Sequence, residues 1–396
     1  MNQAMQSIRQ TSIDWRMILM AGVLVAIALV FNVFSGGIFL SPENLYNIAQ
    51  QTAVVGILAT VMVLIIVARH IDLSVGSVVG FVGVLVATLM YTYNWSWPLA
   101  SLAGLACAIA VAMYQGYLTA VVGVPSFVVT LGGLMSFRGA AFLVADGKTQ
   151  PITDAFFLQL GGGFDGAIGT TASWVLGVVI SIALVLSRIS QRRAKQAYNV
   201  PTNALWVDAL LVAVPVAIVL GFVATMNAYQ IPNKAAPQGI PIPVVIWAVV
   251  ALVVSFLVHR TRFGRYVFAM GGNPDAAALV GIPVRRVMLL LFALLALLTT
   301  IAAIVAVARL NAGTNSLGSN MELLVIAAAV IGGTALAGGS GTILGSVLGA
   351  LIMQSIDSGM LLLDVPIGWR YVIIGQVLIA AVVFDVVYRK RTGEIQ

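Results

Sequence analysis

A chain with only 8% charged residues has few side chains that could do chemistry, and they fall in a handful of stretches. ADGKT (145–149) has the ending of a phosphate-binding loop, in which lysine and a hydroxyl follow glycine. The first glycine that pattern needs is Phe142, so nucleotide binding is not expected and any energy from ATP must enter through another chain. GGSG (338–341) could present Ser340 as a nucleophile, but such a serine needs a facing base. The two histidines, His70 and His259, both sit beside arginine at segment ends. No cysteine, histidine and carboxylate cluster has metal-ligand spacing, so no metal and no cofactor are expected.

Polar residues inside apolar runs remain, and these point to function by default. In MQSIDSGM (353–360), Gln354, Asp357 and Ser358 interrupt a span and could line a polar path. Asp72 and Ser74, at the head of an earlier span, are further path candidates. Asn311, Asn315, Asn320 and Glu322 follow Arg309 in a loop read as an outer mouth, suited to a docking protein or a hydroxylated solute. Asp208 reads as structural, and Asp385 is placed to pair with Arg389 one turn on.

The elements that must position these residues are membrane helices. Hydrophobic residues make up 61% of the 396. Runs of about 20 apolar residues recur, each long enough for a ~30 Å hydrocarbon core and too uniform for barrel strands. The expected fold is an all-α, polytopic helical bundle of about 10–12 transmembrane segments, some broken or re-entrant. Twelve segments stand out, near 17–34, 52–68, 73–93, 98–122, 126–145, 173–187, 206–226, 244–258, 287–308, 322–337, 343–363 and 371–388. The fifth and tenth read as short and interrupted. The first resembles a signal peptide but lacks a cleavage site, and is expected to be retained. Cys107 lies in an apolar run as a packing residue.

If every segment crosses, 15 of the 20 basic residues fall on the side of the termini. That asymmetry places both termini in the cytoplasm. It also accounts for the net charge of +7 as a topology signal, with no nucleic acid implied. Glycines at four-residue steps, Gly76 and Gly80, then Gly341, Gly345 and Gly349, allow close helix approach.

One cytoplasmic stretch is unlike the rest. GGNPDAAALVGIPVRR (271–286) has an N-cap (Asn273), a proline at the first helical position (Pro274), a helix-favouring alanine run and a closing glycine (Gly281). The helix is about seven residues long, too short to be stable alone. It is either a connector packed on its own bundle or a docking knob, with Leu279, Val280 and Ile282 as its apolar contacts.

Four ordered motifs carry a family resemblance over nearly the whole chain. HIDLSVGS (70–77) resembles the IDLSVG signature of the membrane subunits of ribose/xylose-type ABC sugar importers. VPSFVVTLGGLMSFRGAAFLV (124–144), FGRYVFAMGGNPDAAALVGI (263–282) and AVIGGTALAGGSGTILGSVLGALIM (329–353) resemble further motifs of that family. The resemblance implies one transmembrane permease domain over 1–396. It implies a non-catalytic subunit acting as a homodimer in the bacterial inner membrane. An ATP-binding-cassette ATPase would bind below, and a periplasmic sugar-binding protein would dock above. It makes 263–286 the ATPase-coupling segment, with Gly271, Gly272, Asn273, Pro274, Ala276, Ala277, Leu279 and Gly281 as its residues. The basic insert and extra span (about 188–243), with DSGMLLLDVP (357–366), are most similar to the D-xylose branch. Arg69 and His70 depart from the pattern, where relatives have small or acidic residues. The expected mechanism is alternating access for a neutral monosaccharide. The rival, an ion-coupled secondary transporter, would need carboxylates near the midplane beside unwound helices; Asp357 is the candidate in this sequence.

Overall fold

Each of the twelve apolar segments becomes a helix, because lipid offers a backbone amide no partner outside the helix itself. The structure, a computed structural model, describes residues 15–163, 166–231 and 237–392. In chain order its helices are α1 (Trp15–Phe34), α2 (Pro42–Val67), α3 (Val75–Tyr91), α4 (Trp97–Tyr117), α5 (Ser126–Val144), α6 (Ala155–Gln159), α7 (Thr170–Ala197), α8 (Leu205–Ala228), α9 (Ile242–Arg260), α10 (Arg262–Gly272), α11 (Pro274–Leu279), α12 (Val284–Leu310), α13 (Met321–Ile331), α14 (Ile343–Leu362) and α15 (Ile367–Thr392). A π-helical turn, Leu118–Val122, extends α4. Ten of these helices are long and apolar enough to cross a membrane. The fifth segment is an uninterrupted helix of 19 residues, against expectation; the short elements are α3, with 17 residues, and α13, with 11.

The bundle is layered around α2. From Ala53 to Val67 this helix is apolar on every side, so it has no face suited to water, and 94% of its most apolar window is buried. Its first turns, PENLYNIAQQ, are polar, which hid its start from the hydropathy pattern; Ser41 caps it through the Asn44 amide. Helices α12 and α14 flank it, while α1, α7, α8 and α15 are mostly exposed on the perimeter. The α7–α8 hairpin has its own small core, where Val223, Met226 and Ile240 meet Tyr46 and Ala49 of α2. Asp208 is structural there, bonded to Arg188 at 2.6 Å and to Arg192.

Helix ends define two faces. Val67 at the end of α2 meets Gly271 and Gly339, which puts α10, α11 and the 332–342 loop on one face, here the α11 face. On the opposite face the two-residue strands β1 (Gln150–Pro151) and β2 (Ala312–Gly313) pair antiparallel.

Helix α13 is half a crossing, about 16 Å at ~1.5 Å per residue. Its lead-in starts on the opposite face at Asn311 and descends beside α3. Gly313 packs on Val84 and Ala87, Leu317 on Gly80 and Gly83, and Gly318 on Gly76. Both glycine rows serve this one element. A Cβ at Gly76 or Gly80 would strike the lead-in backbone, and one at Gly345 or Gly349 would strike the carbonyls of Gly332 and Ala328.

Candidate functional site

The coupling segment is built as its residues require. Asn273 breaks the helical run and accepts the Ala276 amide at 3.0 Å, so Pro274 opens α11. Gly281 adopts φ 85° and donates to the Ala278 carbonyl at 3.0 Å, while Ile282 donates to Ala277 at 3.0 Å. This paired closure needs the left-handed backbone that glycine permits. The helix has six residues. Ala277 is buried against the bundle, whereas Leu279 is 89% and Val280 78% exposed. Ile282 packs inward on the main core and is not a third outward contact.

Arg69 explains its own departure from the family pattern. It takes φ 66° past the end of α2 and donates from Nε to the Gly271 carbonyl at 2.7 Å and from its terminal nitrogen to Gly272 at 2.5 Å. The Gly339 amide donates to the Val67 carbonyl at 2.9 Å. Gly271 fits only without a side chain, since a Cβ would strike the Val67 carbonyl. These contacts join the end of α10, which leads into α11, the end of α2 and the loop leaving α13 into one unit.

Between the faces lies a polar junction at the start of α3. The stretch before it is unwound, so its backbone must find partners from side chains. Ser126 and Thr130, one turn apart on α5, supply them: Leu73 donates to Thr130 Oγ1 at 3.1 Å, and that hydroxyl donates to the Ile71 carbonyl at 3.2 Å. Asp72 accepts from the Ser74 amide at 2.7 Å and from its hydroxyl at 2.8 Å, and Gln115 donates to Ser74 Oγ at 2.9 Å. His70 meets Ser126 at 3.1 Å. Arg138, further along α5, donates to the carbonyls of Asn315 at 3.2 Å and Leu317 at 2.8 Å, holding the α13 lead-in.

The four residues read as an outer mouth are therefore strung through the depth of the fold. Asn311 and Asn320 are exposed, Asn315 is half-buried with its Oδ1 enclosed, and Glu322 is only 6% exposed, against Gly76. The Glu322 Oε2, Asn315 Oδ1 and Ser77 Oγ atoms have no hydrogen-bond partner among the described residues. The path candidates also divide. Asp72 and Ser74 belong to the α3 junction. Gln354 donates to Gln51 at 2.7 Å and Ser358 to Asn44 at 3.1 Å, a seam between α14 and α2. Asp357 points elsewhere, to Arg370 at 2.6 Å, and lines a cavity of 350 Å³ with Ser319 and Asn320. Asp72 and Glu322 thus stand beside unwound backbone, and Asp357 borders the same lead-in across its cavity. Asp385 pairs with Arg16 across the bundle; the expected pair with Arg389 lies outside the described residues, as the Arg389 side chain does. So do those of Lys390 and Arg391, as well as Arg9 and Lys234.

Sequence reasoning missed Gln115, Ser126, Thr130 and Arg138. The available signal was a polar face on α5, with hydroxyls four residues apart and an arginine inside an apolar run.

Comparison with known proteins finds relatives over nearly the full length of the chain. The family model for the branched-chain amino acid transport system / permease component matches residues 44–382. The xylose transport system permease protein of Haemophilus influenzae is 39% identical over 372 residues, 93% of this chain and 96% of that one. The protein of the same name in Escherichia coli is 36% identical, covering 96% and 94%. The ribose import permease protein of Escherichia coli is 30% identical, covering 92% and 91%. No solved structure matches. With a family model spanning most of its length and full-length likeness to pentose permeases, the chain belongs to the permease family of ribose/xylose-type ABC sugar importers.

Proposed function

We propose that the chain is the translocation subunit of a D-xylose importer. It works as a homodimer in the bacterial inner membrane, with both termini and the α11 face in the cytoplasm. The whole chain serves as one permease domain. A separate ATP-binding-cassette ATPase docks on α11, and a sugar-binding protein delivers sugar to the opposite, periplasmic face. Asn311 and Asn320 are rim residues for that docking. Support for xylose comes from the 36–39% identity to xylose permeases.

The observation that carries this reading is the exposure of Leu279 and Val280 on a helix with every cap made. A six-residue helix is not self-sustaining, so its rigidity comes from Asn273, Gly281 and the bundle beneath. Rigidity lets a push on the apolar pair pass through Gly271 and Gly272 to Arg69, and through Gly339 to the loop leaving α13. Alternating access then consists of α13 and its lead-in shifting against α3. The cavity with Asp357 and Arg370 is a polar stop on the sugar's route. Buried Asp72 and Glu322 favour a second reading, coupling to an ion gradient.

The test is uptake into proteoliposomes holding this chain, its ATPase and its binding protein. The account predicts uptake that requires ATP and all three proteins. Uptake driven by a proton or sodium gradient without the ATPase would establish the second reading. Gly281→Pro, or Asn273→Asp/Ala276→Glu together, should uncouple hydrolysis from transport while leaving membrane insertion intact. Normal uptake in those variants would defeat the docking role of α11.

A further inference from the structure

A second cavity, of 420 Å³, opens on the face opposite α11. Its volume falls in the ~300–1,000 Å³ range of small-molecule sites. It is lined by Tyr46, Asn47 and Gln50 from the first turns of α2, Tyr229 just past α8, and Arg309 and Asn311 at the end of α12. The rings of Tyr46 and Tyr229 stack with centroids 4.3 Å apart. Tyr46 is only 2% exposed, with its hydroxyl against the Gln50 side chain, and the buried Arg309 Nε has no hydrogen-bond partner among the described residues. The Gln50 amide nitrogen is already given to the Gly162 carbonyl.

The cavity is held in shape by glycines. A Cβ at Gly161 would strike the Arg309 backbone, and one at Gly162, with φ 74°, would meet Gln50. This assigns a purpose to the glycine-rich loop after α6: it lies directly on the end of α12. Tyr229 and Ile231, just past α8, close one side of the pocket.

We propose that this cavity is a binding site for one neutral monosaccharide, occupied between release from the binding protein and entry to the path; the proposal rests on the importer reading above. Aromatic rings beside amides and a guanidinium fit a polyhydroxylated ring. Amides both donate and accept, guanidinium donates in a fixed fork, and sugar hydroxyls answer both. A buried donor left unpaired is costly, so a ligand hydroxyl that accepts from the Arg309 guanidinium gains from it. Exposed Asn47 and Asn311 leave the mouth open to water.

Cys107 is the sole cysteine, which makes the site easy to probe. In a Cys107→Ser background, Asn47→Cys places one thiol at the mouth of the cavity. The rate of its labelling by a membrane-impermeant maleimide is measured on the full chain in proteoliposomes. D-xylose at ten times its Kd should slow labelling about tenfold by mass action. Glycine betaine at the same concentration should leave the rate unchanged. Arg309→Gln should abolish the protection; Tyr46→Phe, which removes one hydroxyl and little packing, should weaken it and serves if the arginine variant fails to fold.

No protection by xylose, ribose or arabinose up to about 100 mM, a Kd too weak for a waiting site, overturns the proposal. Protection by the binding protein alone, with none by sugar, also overturns it, since the cavity would then receive protein. ATP-driven uptake on the same vesicles tests the importer reading separately. Uptake without protection removes only this site, whereas protection without uptake leaves the site standing.

Discussion

The lead-in to α3 and the lead-in to α13 both bring unwound backbone inside the bundle, and they are finished differently. Before α3, Asp72, Ser74, Gln115, Ser126 and Thr130 close a network in which backbone amides and side chains are paired. Before α13, the carbonyls of Asn315 and Leu317 rest on Arg138 alone, and Asn315 and Glu322 keep unpartnered oxygens. The first is exposed nowhere along Asp72 to Val79 except half-buried Leu73; the second borders an open cavity at Ser319 and Asn320. A closed network has one low-energy arrangement. An incompletely paired one can exchange partners at little cost, which is what a moving element needs. In the mechanism proposed above, the α3 junction would be the fixed wall and α13 the part that slides along it.

The largest expected effect tests the wall. Asp72→Leu removes the acceptor of two bonds and strands the Ser74 amide, at about 1–3 kcal/mol for each orphaned group. Folded yield and thermal stability in detergent should fall sharply. An Asp72→Leu chain as stable as the parent would erase the contrast.

Next comes the link between the two regions. Arg138→Met frees the carbonyls of Asn315 and Leu317, and should cut transport about tenfold, the equivalent of ~1.4 kcal/mol, with a smaller loss of stability than Asp72→Leu. Equal losses from both variants would mean that α13 is as fixed as α3.

Glu322→Gln should be milder still. Its Oε2 makes no bond to lose, so stability should hold within about 1 kcal/mol while the dependence of uptake on ATP shifts. A collapse of folding would reveal that Glu322 is part of a closed network after all. The smallest effect belongs to Asp146→Asn, which removes an ion pair to Lys148 that stands in solvent. Water screens such a pair almost completely, so uptake and stability should be unchanged.

Much of this was legible in sequence, and the failures have a common cause. All twelve helices follow from apolar length, and the caps of α11 follow from Asn273, Pro274 and Gly281, because these signals are local. The descent of residues 312–320 carried no such signal. A polar stretch between two apolar runs looks like a solvent loop, and only the glycines of α3 facing it tell otherwise. Of the five basic residues counted on the outer side, Arg138, Arg309 and Arg370 turned inward to a backbone, a cavity and a carboxylate. Asp385 also meets Arg16 across the bundle, a partner 369 residues away that spacing along a helix cannot reveal, while its expected pair with Arg389 lies outside the described residues. Arg69 was visible as an anomaly, yet its role needed the glycine carbonyls of a segment about 200 residues later.

The central claim is that α11 moves α13 against α3. Its most direct measurement is a pair of spin labels on exposed Asn94→Cys, beyond the end of α3, and Asn320→Cys, at the head of α13, in a Cys107→Ser background. Labelled copies are diluted with unlabelled ones in the complete transporter. The account predicts that ATP binding changes this distance by about 2–5 Å, the range of helix shifts and one-turn slides. It also predicts that Gly281→Pro abolishes the change. An unchanged distance in a complex that hydrolyses ATP and imports sugar would contradict it.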